Sequence, residues 1–294
     1  MSAKDTLFNR KLTINCKGRL LDFSVPKVMG ILNVTPDSFY DGNKFNSLAK
    51  INDHVKRMIH EGAAIIDIGA FSSRPGAENI DEKEELNRLI PVLENLRIDF
   101  PDIFISVDTF RSSIAKTVVE EFNVDIINDI SAGELDPKMF DTIAGLEIPY
   151  IIMHMKGNPQ NMQNSPEYND LIKEVIDYFT HKTEQLTKLG IKDIIIDPGI
   201  GFGKTIEHNY RLMHALPVFS MFKVPVLTGV SRKSLIYKLL NISPGESLNG
   251  TTVLHTLALL NKADILRVHD VKEAVEVINI VEKYKQEARN IETE

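Results

Sequence analysis

From Val28 onward, short apolar runs rich in Val and Ile alternate with longer stretches whose apolar residues recur every three or four positions. The runs fit strands buried on both faces, and the stretches fit amphipathic helices crossing between parallel strands. The runs fall at residues 28–34, 65–70, 104–109, 126–130, 150–155, 194–198, 225–230 and 265–269, which makes eight. Residues 169–189 show the helical period, with Leu171, Ile172, Val175, Ile176, Phe179 and Leu186 on one face. Eight strand–helix units in roughly 240 residues predict a single closed (β/α)8 TIM barrel. An open doubly wound sheet would have fewer strands and a glycine-rich first turn, and no such turn is present.

Residues 1–27 precede this pattern. Two extended runs, 11–15 and 20–23, flank Cys16-Lys17-Gly18-Arg19, which predicts a β-hairpin capping the bottom of the barrel. The barrel is expected over 28–284, and the charged tail 285–294 is expected to fray.

Composition narrows the function. The 294 residues are 43% hydrophobic and 26% charged, enough for a full core, and the formal charge is -7. That sign disfavours a nucleic-acid partner or an anionic membrane surface, both of which attract positive charge. Cys16 is the only cysteine, so an intrachain disulfide or thiolate metal cluster cannot form. No apolar run has the length to cross a bilayer, and the reading is cytoplasmic, with a small-molecule substrate.

In barrel enzymes the chemistry sits where the strands end. Here the first run ends at Asn33, followed by Asp37, and the second carries Asp67 and then Ser72-Ser73-Arg74-Pro75-Gly76. The later runs deliver Asp108, Asn128 with Asp129, His154, Asp197, Ser231-Arg232-Lys233-Ser234, and Arg267 with His269 and Asp270. Any one of these reads equally well as a cap or turn residue, and that reading is preferred for Asp129 and Asp270. Together, on one rim, they call for a polar ligand. Asp108, Asn128 and Asp197 offer acceptors for a flat heterocycle bearing N–H groups, whereas Arg74, Lys233, Arg267 and His269 suit a phosphate or diphosphate. Taken alone, Arg232 and Lys233 read as well as a solvated basic turn.

The run Gly199-Ile200-Gly201-Phe202-Gly203-Lys204-Thr205 ends like an ATP-binding loop, but the first glycine of that motif would stand at Pro198. It is read instead as a flexible loop carrying Phe202 over the site. His154 and His181 are read as ordinary surface or barrel residues.

These loops resemble the dihydropteroate synthase family. Gly30-Ile-Leu-Asn-Val-Thr-Pro-Asp-Ser-Phe39 and Ser73-Arg-Pro-Gly-Ala77 are similar to its two signatures, and Ser106-Val-Asp108, Asn128-Asp129, Met153-His-Met155, Asp197-Pro-Gly-Ile-Gly-Phe-Gly-Lys204, Ser231-Arg-Lys-Ser234 and Arg267-Val-His269 follow in order. The resemblance implies condensation of 6-hydroxymethyl-7,8-dihydropterin pyrophosphate with para-aminobenzoate through a dissociative pterin cation, assigning Asp108, Lys233, Arg267 and His269 to catalysis. It implies a pterin pocket of Asp108, Asn128, Met153, Asp197, Lys233 and Arg267, and a diphosphate site of Asn33, Ser73, Arg74, Arg267 and His269. It further implies Mg2+ at Asn33 and Asp37, a para-aminobenzoate pocket of Phe39, Pro75, Phe202, Lys233 and Ser234, sulfonamide inhibition and a homodimer. The family has a glutamate where this chain has Phe71, a departure in the second loop. Two alternatives remain open here: a pterin-binding barrel without synthase activity, and a methyltetrahydrofolate-dependent methyltransferase domain.

Overall fold

A computed structural model describes residues 10–34, 44–71, 80–157 and 166–293. Two antiparallel strands, β1 (Thr13–Cys16) and β2 (Arg19–Asp22), form the expected hairpin. Its turn needs a left-handed backbone at two successive positions, which Lys17 (φ 52°) and Gly18 (φ 89°) supply.

Eight parallel strands follow: β3 (Lys27–Asn33), β4 (Ile65–Gly69), β5 (Phe104–Asp108), β6 (Ile126–Asp129), β7 (Tyr150–Met153), β8 (Ile194–Asp197), β9 (Leu227–Thr228) and β10 (Ile265–Val268). They pair in the order β8-β7-β6-β5-β4-β3-β10-β9, and an isolated bridge between Ile196 of β8 and Val226, the residue before β9, closes the barrel. The strand β9 is shorter than its apolar run, because Pro225 has no N–H to donate and Gly229 ends the pairing beside the site. Around the barrel lie α1 (Lys44–His60), α2 (Glu82–Asp99), α3 (Ser112–Phe122), α4 (Met139–Leu146), α5 (Leu171–Lys188), α6 (Ile206–His214), α7 (Ser234–Leu240), α8 (Leu248–Leu260) and α9 (Val271–Thr293). No described helix is long and apolar enough to cross a membrane.

The interior is layered by the two-residue period of the strands. Its lowest layer is Met29, Ile65, Phe104, Ile126, Ile151, Ile195, Leu227 and Ile265, sealed from below by Ile14, Cys16, Leu21 and Phe23 of the hairpin. Counting on by two along each strand brings Ile31, Asp67, Ser106, Asn128, Met153, Asp197, Gly229 and Arg267 into the layer above, and a further two brings Asn33, Gly69, Asp108 and His269 to the rim. The outward-facing positions pack against the helices in one continuous apolar shell.

The tail is a correction. Residues 285–293 continue α9 as helix instead of fraying. Lys283 with Glu287 and Lys285 with Glu282 pair one turn apart along it, and such pairs with good helix formers extend a helix beyond its packed part.

Candidate active site

The middle layer of the barrel is charged. Arg267, on β10, reaches across the interior: its Nε donates to Asp67 Oδ2 of β4 at 2.6 Å and its Nη2 to Asp108 Oδ2 of β5 at 3.1 Å. The same Asp67 oxygen accepts Asn128 Nδ2 of β6 at 3.1 Å. Four strands are thus tied to one guanidinium. Burial pulls the Arg267 pKa down, but the two carboxylates outweigh it and hold the group firmly charged. Burial also pushes the Asp108 carboxyl up to about 7, against the pull of Arg267 and with the help of neighbouring Asp67, Asp129 and Asp197.

Opposite, Asp197 accepts the N–H of Gly199 at 2.8 Å, and burial raises its pKa against the nearby Lys233 ammonium. Lys233 donates to the carbonyl of Ile200 and stands 4.6 Å from the centre of the Phe202 ring. Its pKa is lowered to about 8, by burial first, with Asp197 opposing. Gly229, just past the end of β9, lies beside it, its Cβ position 3.6 Å from the Lys233 ammonium. Phe202, Met153, Met155 and Ile130 form an apolar wall beside these polar groups. A flat ring placed here would meet acceptors on one edge, an ammonium on another and an apolar face.

The basic turn after β9 divides. Lys233 enters the pocket, while Arg232 turns out to make a two-point ion pair with Asp270, at 2.9 and 2.6 Å. Ser231 Oγ lies 3.0 Å from His269 Nδ1 and accepts the His269 N–H, which fixes that histidine at the rim. Ser234 follows directly as the first residue of α7. Asn33 closes β3 at the rim, and its Oδ1 and Asp108 Oδ2 lie on the side of Gly69 where a side chain would stand, 3.7 and 3.9 Å from that Cβ position. Asp129 does what its bland reading requires, accepting from Ser131 N–H and Oγ–H, Gly133 N–H and Tyr150 O–H at 2.6–2.8 Å.

The loop between Asp197 and Thr205, expected to be flexible, is bound at its centre. Buried Lys204 donates to the carbonyls of Gly199, Phe202 and His154 at 2.8, 2.9 and 3.2 Å and lies 3.0 Å from His154 Nδ1. His154 is buried, and burial with the Lys204 charge holds its pKa far below the usual range, so it stays neutral and accepts. It is neither a surface residue nor an idle one.

Asp37, Phe39, Ser73, Arg74 and Pro75 lie outside the described residues. Phe71, just before the second of those segments, packs edge-on against Phe110 with ring centres 5.4 Å apart. Asp67, Ser231 and Lys204 are bound into this network, and reading the strand ends leaves them unassigned. The signal for Asp67 is phase: it sits two residues after inward-facing Ile65 and in register with Ser106.

Residues 29–269 match the model of the pterin binding enzyme family. Dihydropteroate synthase of Escherichia coli K12 is 44% identical over 268 residues, covering 90% of this chain and 94% of that protein. The Bacillus subtilis dihydropteroate synthase is 42% identical, covering 87% of each. Among solved structures, Yersinia pestis dihydropteroate synthase in a sulfonamide drug complex superposes with a TM-score of 0.87 at 42% identity, over 93% of this chain and 99% of that one. The Xanthomonas albilineans enzyme with 4-aminobenzoic acid gives 0.86 at 36% identity, over 93% and 98%.

Proposed function

We infer the division of labour within the pocket from the premise that the chain belongs to the pterin binding enzyme family and, within it, to the dihydropteroate synthases. The activity is that of a transferase, condensing 6-hydroxymethyl-7,8-dihydropterin pyrophosphate with para-aminobenzoate to give 7,8-dihydropteroate and diphosphate. The observation that carries the residue assignments is the hydrogen-bonded set of Asp67, Asp108, Asn128 and Arg267 across the barrel interior, with Lys233 beside Asp197.

In this reading Asp108, Asn128 and Asp197 accept from the pterin N–H and amino groups, Lys233 donates to its ring oxygen, Met153 lines the pocket and Arg267 lies against the ring. Asp67, Asp108 and Asp197 place carboxylates beside the ring position, alongside Arg267 and Lys233. Those carboxylates favour a ring becoming positive as the bond to diphosphate breaks, which is electrostatic stabilisation by groups already in place. His269 and Asn33 at the rim and Arg267 just below them, with Ser73 and Arg74 of the second loop, hold the diphosphate. The arylamine is nucleophilic when neutral, so these residues need only orient it, between Phe202, Lys233, Ser234, Phe39 and Pro75, and keep water from the cation.

The rim fits Mg2+, which takes one or two protein oxygens and completes its shell with phosphate oxygens and water. The Asn33 amide oxygen, at the end of β3 on the rim, is a hard oxygen of that kind. Asn33 and Asp37 would hold the ion, whose chemistry there is to neutralise charge on the departing diphosphate.

A cytoplasmic location accords with the single, buried Cys16. A homodimer accords with α8, where Val253, Leu257 and Leu260 form an exposed stripe opposite its buried face.

The test is diphosphate release from the purified protein with pterin pyrophosphate and Mg2+, with and without para-aminobenzoate. Release coupled to dihydropteroate formation, reduced about a hundredfold or more in Arg267→Ala, is expected. Full turnover by that variant would remove the charged layer from the mechanism.

A further inference from the structure

Asp67 is the most buried of the pocket's charged groups, with no exposed surface, and it lies one layer below Asp108 at the rim. It spends its hydrogen bonds in an unusual way. Oδ2 accepts twice, from Arg267 Nε and from Asn128 Nδ2. Among the described residues Oδ1 has no partner, and neither has the hydroxyl of Ser106, its register neighbour on β5. A buried carboxylate kept for stability alone would be expected to satisfy both oxygens. This one serves two side chains that face the ring site, and no backbone group or cap.

The consequences at those two side chains differ. An asparagine amide has a donor end and an acceptor end of nearly equal shape, and its neighbours decide which end faces a ligand. Asn128 gives its NH2 to Asp67, so its carbonyl is the end left for the ring. Arg267 has one guanidinium to share between Asp67 and Asp108. With Asp67 holding Nε at 2.6 Å, the contact to Asp108 is the longer one, at 3.1 Å, and Asp108 keeps lone pairs for a ring N–H.

We propose that Asp67 is a positioning residue of the synthase: its buried carboxylate sets the Asn128 amide with the carbonyl toward the pterin and offsets the charge of Arg267, leaving Asp108 to the substrate. The proposal rests on the pterin reading of the pocket.

Two substitutions separate the two effects. Asp67→Asn keeps the shape and an oxygen for both donors but removes the charge; Asp67→Ala removes the oxygen as well. Calorimetric binding of 6-hydroxymethyl-7,8-dihydropterin pyrophosphate is expected to weaken about tenfold in the first and about a hundredfold in the second. The KM for para-aminobenzoate should stay within about twofold of the parent, a split that general loosening of the barrel would not give. Asp108 faces Arg267, Asp67, Asp129 and Asp197, and it must be ionised to accept from the ring. Taking away the Asp67 charge removes one neighbour that raises its pKa, so the acid limb of pterin binding in Asp67→Asn moves to lower pH. Should the alanine variant fail to fold, the isosteric asparagine variant carries the test through affinity and pH limb together. An Asp67→Asn protein with the parent's pterin affinity and an unmoved limb overturns the proposal. A parent that binds no pterin at all overturns instead the reading of the pocket on which it rests.

Discussion

Asp108 shows how a residue chosen for a ligand costs the free protein. Its carboxyl is held up to about 7, mainly by burial, whereas in the unfolded chain it titrates near 4. Between those values the native state keeps a proton that the unfolded state has lost, so stability falls as pH rises through the window and the full cost is present above it. Asp108→Asn lacks this titration. It should therefore melt higher than the parent near pH 8, by about 2–4 °C for each kcal/mol relieved, show no such gain near pH 4, and have lost turnover. Scanning calorimetry at the two pH values checks the sign; a variant that melts lower near pH 8 contradicts it. Sequence reading reached Asp108, Asn128, Asp197, Lys233 and Arg267 because each stands near the end of an apolar run, where polarity is conspicuous. It passed over Asp67 because a carboxylate in mid-strand acquires its meaning only from partners on β6 and β10, 61 and 200 residues away. It gave Arg267 to both the ring and the diphosphate, and the structure adds that this guanidinium is also paired with Asp67 and Asp108.

At the scale of the elements, strand order and the hairpin were legible because period and turn chemistry are local, whereas the loop after β8 was not. A glycine-rich run ending in lysine reads as loose, yet Lys204 folds back and binds three carbonyls and His154. The left-handed backbone at Gly199 (φ 71°) belongs to the same device, since a Cβ there would come within 1.8 Å of the His154 carbonyl oxygen. Lys204→Met preserves length and leaves those carbonyls unsatisfied at about 1–3 kcal/mol each, so a loss of about 3–5 kcal/mol in urea unfolding is expected. Because the clamp holds Phe202, and Phe202 lies under Lys233, the KM for para-aminobenzoate should rise more than that for the pterin. Equal rises in the two would mean that the loop serves only stability. Gly199→Ala should fail more severely, through direct collision, and yield little folded protein by circular dichroism.

For the whole molecule, the helical shell is unequal around the barrel. Most helices present one apolar face, which the strands cover, but α8 is apolar on two. Its Leu254, Ala258 and Leu259 are buried, while Val253, Leu257 and Leu260 remain 53%, 43% and 44% exposed. Leu239 and Leu240 of neighbouring α7 are exposed as well, as are Ile280 and Tyr284 of α9, against which α8 packs. An apolar area spread over three adjacent helices is what a protein interface requires, and a second copy of the same face would cover it. The sequence holds this stripe, but periodicity shows only that a helix has two apolar sides, and which side the barrel takes is settled by packing. Val253→Glu with Leu257→Glu places four charges across the two-fold contact, two from each copy, and should convert a dimer into monomers in sedimentation equilibrium at micromolar concentration. The described pocket residues stand on the barrel interior at the opposite end of the strands from the hairpin, whereas the stripe lies on the outer side of α8, so the monomer should keep pterin affinity within about threefold of the parent. A parent that already sediments as a monomer would leave the stripe without this partner. A monomeric variant that loses pterin affinity would mean that the dimer supports the barrel's charged layer.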